Sequence, residues 1–267
     1  IDFMDAANLY LLALKIGASA MVALWVASLG KRDASLVDLW WGPGFAVAAL
    51  IVWAGSGAPG GAVQLAALGL TFAWSARLAL TMVGRRRRHP GEDPRYTEIR
   101  EAWGRGFWWK SLFIVFLLQA VLQWAIAFAP MAALAAPSAG LGPVGGLGCV
   151  LAAAGLAIEW RADAELDRHK RDIGAALCRT GLRRFARYPN YSGEILFWWG
   201  LWMIAAEASA AWTAFAPTLL TLLLWKVSGA PILDARLADR PGFAEWRETT
   251  PAFLPVAPFR LRRPSAG

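Results

Sequence analysis

Polar side chains that could do chemistry are concentrated where the stretch from Arg179 to Gly200 changes from a cationic loop to an apolar run. Asn190 and Glu194 stand four residues apart, so they would share one face of a helix that begins near Tyr191. A carboxylate at the mouth of a lipid-embedded helix is costly unless it is paired or functional. The stretch is therefore either a juxtamembrane anchor or part of a binding site at the membrane surface. Its arginines are Arg179, Arg183, Arg184 and Arg187.

A second carboxyl group, Asp38, lies inside an apolar segment and is flanked by Trp40 and Trp41. An acid in such surroundings can stay protonated and donate a hydrogen bond, as a group that polarises a carbonyl must. The alternative is a structural ion pair with a basic residue of another apolar segment, Lys15 or Arg77. The sequence leaves both interpretations open.

Two amides, Gln119 and Gln123, lie four residues apart in another apolar segment. That spacing places them on one face of a helix, where amide side chains hydrogen-bond to a neighbouring helix within the membrane. We expect them to join helices rather than to act on a ligand.

Two basic clusters lie outside the apolar segments. The first is the run Arg85–Arg88, followed by Asp93, Arg95 and Tyr96, and the second spans 161–187. Attraction to anionic lipids explains a basic run at roughly 1 kcal/mol per residue near the surface. It explains less well the acids that interrupt both clusters. Because arginines hold phosphates through paired hydrogen bonds and carboxylates accept from hydroxyl groups, the mixture favours a phosphorylated nucleotide.

The elements that must position these groups are membrane helices. The chain has 267 residues, a mean hydropathy of +0.42, only 17% charged residues and 16 tryptophans, a composition typical of an all-α, polytopic membrane protein. Two cysteines and two histidines predict neither a metal site nor a disulfide framework. Seven segments are long and apolar enough to span a bilayer. They are about 7–29, 36–54, 62–84, 107–135, 142–160, 191–206 and 209–229.

Basic connections between these segments alternate with connections that contain no Lys or Arg. The basic set comprises 30–35, 85–105, 161–190 and 226–267, and the neutral set 55–61, 130–141 and 207–211. By the positive-inside rule, the N-terminus lies outside and the C-terminus lies in the cytoplasm, as in a multi-pass protein of the bacterial inner membrane.

We therefore expect residues 1–267 to form a single integral membrane domain with cytoplasmic, cofactor-binding loops at 85–105, 161–190 and 230–260. The net charge of +8 is then explained by loops that face membrane lipids and a phosphorylated ligand. It does not indicate nucleic-acid binding, and the sequence indicates no obligate protein partner.

Four motifs follow one another along the chain. They are Asp38-x-x-Trp41-Gly42, Gly91-Glu92-Asp93-x-Arg95-Tyr96, Glu159-x-x-x-Asp163 with Lys170, and Arg187-Tyr188-Pro189-Asn190-Tyr191-x-Gly193-Glu194. With Ser228-Gly229-x-Pro231 and Pro251-x-x-x-Pro255, they resemble the bacterial branch of the steroid 5α-reductase family, the DUF1295 group, over about 38–255. The last of the four motifs is similar to one in membrane methyltransferases of the isoprenylcysteine carboxyl type, which use S-adenosylmethionine and supply the alternative function.

The resemblance implies a seven-helix membrane reductase that uses NADPH to reduce the C=C bond of a membrane-dissolved enone, such as a 3-oxo-Δ4 steroid. The substrate-polarising acid of the family falls on Asp38, with Trp41 and Trp74 at the substrate and with Tyr191 and Glu194 near the reacting atoms. The cofactor-binding positions fall on Arg85, Arg88, Asp93, Arg95, Tyr96, Asp163, Lys170, Arg179, Arg187, Tyr188, Asn190 and Glu194.

The implied reaction needs a proton donor near the substrate carbonyl. Hydride goes to the β-carbon of the enone, so negative charge develops on the carbonyl oxygen and must be met by an acid in a dry pocket. Asp38 is the expected acid. Two departures bear on this role: Tyr188 stands where the family has histidine, and Trp74 stands where animal members have the tyrosine that accompanies the acid. A tryptophan cannot donate a phenolic proton.

Overall fold

The computed structural model describes residues 3–137, 140–174 and 176–254, and the regular elements within these ranges are helices, which confirms the all-α class. Two π-helical turns, Leu112–Leu117 and Leu223–Val227, directly follow the helices Phe107–Ser111 and Phe215–Leu222. The helices are α1 (Phe3–Lys31), α2 (Asp38–Gly55), α3 (Ala62–Arg88), α4 (Pro94–Trp103), α5 (Phe107–Ser111), α6 (Leu118–Ile126), α7 (Phe128–Ala135), α8 (Pro143–Asp172), α9 (Pro189–Glu207), α10 (Phe215–Leu222), α11 (Ala230–Leu237) and α12 (Phe243–Thr249).

Six helical segments of the described chain are long and apolar enough to cross a membrane, as expected of a polytopic membrane protein. The predicted segment 191–206 also forms a helix, α9, but is not among the six. Asn190, Ser192 and Glu194 at its start make it more polar, so a seventh crossing stays a prediction. The six are Asp5–Lys31, Ala34–Gly55, Ala62–Arg88, Pro94–Ile126, Pro143–Asp172 and Ala211–Leu237.

The helices extend further into the polar segments than the hydropathy pattern indicates. The segment 85–105, predicted to be a loop, is mostly helical, because α3 continues to Arg88 and α4 begins directly after Asp93. Asp93 caps α4: its Oδ1 accepts from the backbone N–H of Arg95 at 2.9 Å, and a proline occupies the first helical position. Likewise, α8 continues through the charged segment to Asp172. Many of the charged residues therefore lie on helix ends.

The chain divides into two compact units. The first comprises Ile1–Gly146 and Leu201–Ala216, and the second comprises Leu147–Gly200 and Pro217–Gly267. Each unit contains one of the two clusters of polar residues that the sequence singled out. The single membrane domain stays a prediction.

In the first unit, α2 packs against α3 and α6. Phe45 and Trp74 are at most 2% exposed and meet edge to face, with ring centroids 5.3 Å apart. Gln123 donates from Nε2 to the carbonyl oxygen of Trp41 at 2.8 Å. A Cβ on Gly44 would lie 2.2 Å from the Gln123 Oε1, so this glycine provides the space for the amide. The expectation that Gln123 joins helices is confirmed.

In the second unit, α8 and α9 touch through their backbones. A Cβ on Gly155 would lie 2.5 Å from the carbonyl oxygen of Gly193, and a Cβ on Gly200 would lie 2.5 Å from the backbone nitrogen of Ala152. Distances this short leave no room for a side chain at either glycine. The close approach places Glu159, which is 2% exposed, beside Gly193 in the first turns of α9.

The contact between α8 and α9 predicts that Gly155→Ala lowers stability by about 1–3 kcal/mol, because the added methyl group forces two backbones apart. Gly69→Ala is the matched control, since Gly69 is also in a helix and a Cβ there meets nothing within 4 Å. It should be neutral or stabilise by about 0.5–1 kcal/mol. Thermal unfolding in detergent measures both changes, and equal midpoints for the two variants would contradict the close contact.

Candidate functional site

The polar cluster of the first unit is built around Asp38 at the start of α2. Its Oδ2 accepts from Nη2 of Arg95 at 2.8 Å, and its Oδ1 accepts from the hydroxyl of Tyr96 at 2.7 Å. The Asp38 side chain is 20% exposed. The ion pair that the sequence suggested with Lys15 or Arg77 is therefore made with Arg95 instead, which is 57 residues away along the chain.

Arg95 is held on both sides by carboxylates. Its Nε donates to Asp93 Oδ1 at 3.0 Å, while its Nη2 donates to Asp38. The same Asp93 oxygen caps α4, so one acid fixes both the helix start and the guanidinium. Asp93, Arg95 and Tyr96 were predicted to bind the cofactor, and the structure brings all three together around the predicted acid.

Tyr96 is in turn connected to the helices behind it. Gln119 Nε2 donates to the Tyr96 hydroxyl at 3.3 Å, and Trp41 Nε1 donates to Gln119 Oε1 at 2.5 Å. Gln119 therefore joins helices, as expected, and also orients the phenol. Trp41, predicted to contact the substrate, is connected to Tyr96 through Gln119. Trp74, the other predicted substrate residue, lies in the core against Phe45.

Asp38 lines a cavity of about 230 Å³. Arg85 and Arg86 from the last turns of α3 form a basic wall, and Leu39 and Met82 form an apolar one. The guanidinium of Arg85 is exposed and is neither hydrogen-bonded nor ion-paired within the described chain. The cavity thus combines a carboxyl group, an available cation and apolar surface, which suits a ligand with an anionic and an apolar part.

The turn before Asp38 is held by a second ion pair. Arg86 Nη2 donates to Asp33 Oδ2 at 2.5 Å, and Ser35 donates to Asp33 Oδ1 through both its backbone N–H and its hydroxyl. Burial alone would raise the pKa of Asp33, but the hydrogen bonds from Ser35 and Arg86 outweigh it and hold that pKa below its ordinary value. Asp33 therefore stays charged at neutral pH and keeps the turn in place.

A third ion pair completes this support. Glu92 accepts two hydrogen bonds from Arg100, at 2.7 and 3.0 Å, and its Oε1 also accepts from the backbone N–H of Ala34 at 2.7 Å. Glu92 belongs to one of the four motifs, but the motif predicted no role for it. It ties α4 to the turn that leads into Asp38.

The polar cluster of the second unit is built around Asp234 of α11. Arg187 forms an ion pair with it at 2.9 Å, and the Tyr188 hydroxyl donates to its Oδ1 at 2.5 Å. Arg187 Nη1 also donates to the carbonyl oxygens of Arg247 and Thr250, and its side chain is only 7% exposed. Arg187 was predicted to bind the cofactor, yet these contacts occupy most of its donors. The sequence did not predict a role for Asp234, because its partners Arg187 and Tyr188 lie more than 40 residues away along the chain.

The environment of Tyr188 keeps its phenol protonated. Burial is the main cause that raises the pKa of Tyr188, and the hydrogen bond to Asp234 adds to it. Tyr188 therefore acts here as a hydrogen-bond donor to Asp234 rather than as a titrating group near neutral pH. With Arg187, it anchors the segment that leads into α9.

Asn190, Tyr191 and Glu194 lie in the first turns of α9 and are each half-buried. The Tyr191 ring lies 6.0 Å from the Tyr188 ring. Of the other predicted cofactor residues in this unit, Arg179 donates to the carbonyl oxygen of Gly242. The remaining two, Asp163 and Lys170, lie on α8.

The predicted cofactor residues are therefore divided between the units. The first unit contains five of them. Four of the five contact Asp38 or line its cavity, and the fifth, Arg88, is the last residue of α3 and does neither. The second unit contains the remaining seven. The five are Arg85, Arg88, Asp93, Arg95 and Tyr96, and the seven are Asp163, Lys170, Arg179, Arg187, Tyr188, Asn190 and Glu194.

Comparison with known proteins adds one result. A family model described as "Protein of unknown function (DUF1295)" matches residues 24–250. This range covers all four motifs and both polar clusters. No curated protein and no solved structure matches the chain.

The Asp234 network predicts a large loss of stability for Asp234→Asn, about 3 kcal/mol or more, because Arg187 would be left buried without a countercharge. Asp239→Asn is the matched control, since Asp239 is exposed and only five residues away. Thermal unfolding of the two variants in the same detergent tests this. Equal midpoints would show that Asp234 does not hold the segment before α9.

Proposed function

The chain belongs to the DUF1295 family, and we propose that it is an integral membrane reductase that uses NADPH to reduce the C=C bond of a membrane-dissolved enone, such as a 3-oxo-Δ4-steroid-like lipid. One observation carries the proposal. A carboxyl group at the start of a membrane helix, Asp38, lines the same cavity as an available arginine, Arg85. An enone reductase needs both, because the cofactor is a polyanion and the substrate carbonyl needs a donor.

The cavity supports NADPH as the ligand. Arg85 has all its donors available, and Arg86 uses one nitrogen for Asp33, so the basic wall can hold a phosphate group. A volume of about 230 Å³ is smaller than pockets for whole drug-sized ligands, about 300–1,000 Å³, so it suits a phosphate-bearing part of a dinucleotide rather than the whole cofactor. S-adenosylmethionine carries no phosphate, which makes the methyltransferase alternative less suited to this wall.

NADPH, when bound, supplies the hydride. The protein must then stabilise the negative charge that develops on the carbonyl oxygen. We assign this task to Asp38 in its protonated form, which donates to that oxygen, while Tyr96 orients the acid through the hydroxyl hydrogen that it donates to Asp38 Oδ1. Arg95 and Tyr96 fix the carboxyl orientation by contacts at 2.8 and 2.7 Å, and each carboxyl oxygen keeps a second hydrogen-bonding position. We propose Tyr96 as the phenol beside the acid, the part that a tyrosine at position 74 plays in animal members of the family that the sequence resembles.

The second unit contributes groups suited to the nicotinamide. A carboxamide offers an NH2 donor and a carbonyl acceptor, so Glu194 would accept from the first and Asn190 would donate to the second. Tyr191 lies between them on α9. Asp163, Lys170 and Arg179 are the groups proposed for ribose and phosphate.

Orientation in the membrane follows from loop charge. We propose seven crossings, with the N-terminus outside and with the basic helix ends in the cytoplasm of a bacterial inner membrane, where NADPH is available. The six span-capable helices and the polar α9 support this count.

Cofactor binding tests the first part of the proposal. NADPH should raise the unfolding temperature of the purified protein, whereas NADH and S-adenosylmethionine should raise it much less. Arg85→Ala should weaken NADPH binding about tenfold or more, because a charge-assisted phosphate contact is lost. Arg87→Ala is the control, since Arg87 is also exposed in the last turn of α3 but does not line the cavity. Stabilisation by S-adenosylmethionine alone would support the methyltransferase instead.

Turnover tests the role of Asp38. Asp38→Asn keeps the side-chain size but removes the acid, so NADPH oxidation with an enone should fall about 100-fold or more, with little change in NADPH affinity. Asp5→Asn, the same exchange at an exposed position of α1, is the control. Rates are normalised to folded protein. A normal rate for Asp38→Asn would remove this residue from the chemistry.

A further inference from the structure

A second cavity, of about 360 Å³, lies in the first unit between the end of α1 and α5. It is separate from the Asp38 cavity, and the two share no lining residue. Its basic side chains are Arg32, at the end of α1, and Arg100 of α4. Trp25 of α1 donates from Nε1 to the carbonyl oxygen of Trp108 at 3.0 Å, which fixes the two walls of the cavity relative to each other.

The hydrogen-bonding groups in this cavity are complementary to a hydroxylated phosphate ester. Arg32 is exposed and makes no side-chain hydrogen bond or ion pair within the described chain, so its guanidinium is available for a phosphate. The buried hydroxyls of Ser28 and Ser111 each donate to a backbone carbonyl oxygen, of Trp25 and Trp108 respectively. Toward the cavity they therefore offer acceptor lone pairs, which match a headgroup that donates O–H groups.

The surface around Trp108, which lines the cavity, is suited to the membrane interface. Trp108 is 60% exposed and Trp109 46%, and Lys110 lies over the ring of Trp103 at 4.8 Å. Exposed tryptophans with adjacent cations are typical of the headgroup level of a bilayer. The cavity also lies where the span-capable helix Asp5–Lys31 ends, which is the depth expected of lipid headgroups for a helix that crosses the membrane.

Exposed apolar side chains lead away from the cavity along the same two walls. Val26 of α1 is 58% exposed, and Phe113, just after α5, is 57% exposed. These side chains would cover acyl chains of a lipid whose headgroup occupies the cavity.

We propose that this cavity is a specific site for an anionic phospholipid with a hydroxylated headgroup, such as phosphatidylglycerol. Arg32 contacts the phosphate, and Arg100, whose Nε and Nη2 are held by Glu92, lines the cavity behind it. Ser28 and Ser111 accept from the headgroup hydroxyls. The acyl chains pass over Val26 and Phe113. The proposal does not depend on the reductase activity, because it concerns other residues and another ligand.

A specific site differs from general attraction to a charged membrane. General attraction acts on every surface cation to a similar degree, at roughly 1 kcal/mol each. Lys31 is adjacent to Arg32, at the same depth, but does not line the cavity. A specific site should therefore distinguish the two residues, whereas general attraction should not.

The test measures lipid binding to the purified full chain in detergent by native mass spectrometry, with phosphatidylglycerol and phosphatidylcholine of the same acyl composition. We expect phosphatidylglycerol to bind at least tenfold more tightly. Arg32→Gln should remove most of this preference, Arg32→Lys should restore part of it, and Lys31→Gln should change it less than twofold. Arg32→Gln keeps a Cβ at the same left-handed position, φ 51°, so backbone strain is unchanged.

Three outcomes would overturn the proposal. Equal losses for Arg32→Gln and Lys31→Gln would indicate general attraction. Equal binding of the two lipids would show that the headgroup is not recognised. Displacement of phosphatidylglycerol by millimolar glycerol phosphate, without acyl chains, would show that the site takes a soluble phosphate ester rather than a lipid.

Discussion

A carboxylate at the edge of a membrane must be compensated, and in the first unit the ion pair of Asp38 with Arg95 is the compensation around which the local structure is arranged. Two neighbouring acids are also paired with arginines, Asp33 with one 53 residues away and Glu92 with one eight residues away. The three pairs are Asp38 with Arg95, Asp33 with Arg86, and Glu92 with Arg100. Together they hold the start of α2, the end of α3 and α4 in one arrangement, so Asp38 faces its cavity from a fixed position.

In the second unit a single acid, Asp234, anchors the polar cluster, whereas three acids do so in the first unit. Asp234 accepts hydrogen bonds from Arg187 and Tyr188, and Arg187 also donates to two backbone carbonyl oxygens in the chain after α11. This network holds the segment that delivers Asn190 into α9. In both units, then, ion pairs hold in place the residues that are proposed to contact a ligand. Ligand binding is therefore not needed to order these residues.

The sequence predicted the helical class, seven spanning segments and the joining role of Gln123, because each follows from local hydropathy and helix periodicity. Six of the seven predicted segments fall largely on the span-capable helices, and the seventh crossing stays a prediction. It underestimated the length of α3 and α8, since hydropathy marks the end of the apolar run and not the end of the helix. The Asp-Pro pair at 93–94 is a local capping signal for the start of α4, which hydropathy alone does not detect. The partner of Asp38 could not be predicted, because the sequence offers several cations and only the fold selects Arg95. Asp234 is missed for the same reason.

The backbone contact between α8 and α9 has a consequence for motion. Side chains at a helix interface can change rotamers and let two helices slide, but Gly155 and Gly193 leave no such layer between them. These two helices are therefore expected to move as one rigid body. Glu159 on α8 and Glu194 on α9 would keep a constant separation during any opening or closing of this unit. A conformational change in this unit must then occur at the segments that flank the helix pair, such as the one that Asp234 anchors.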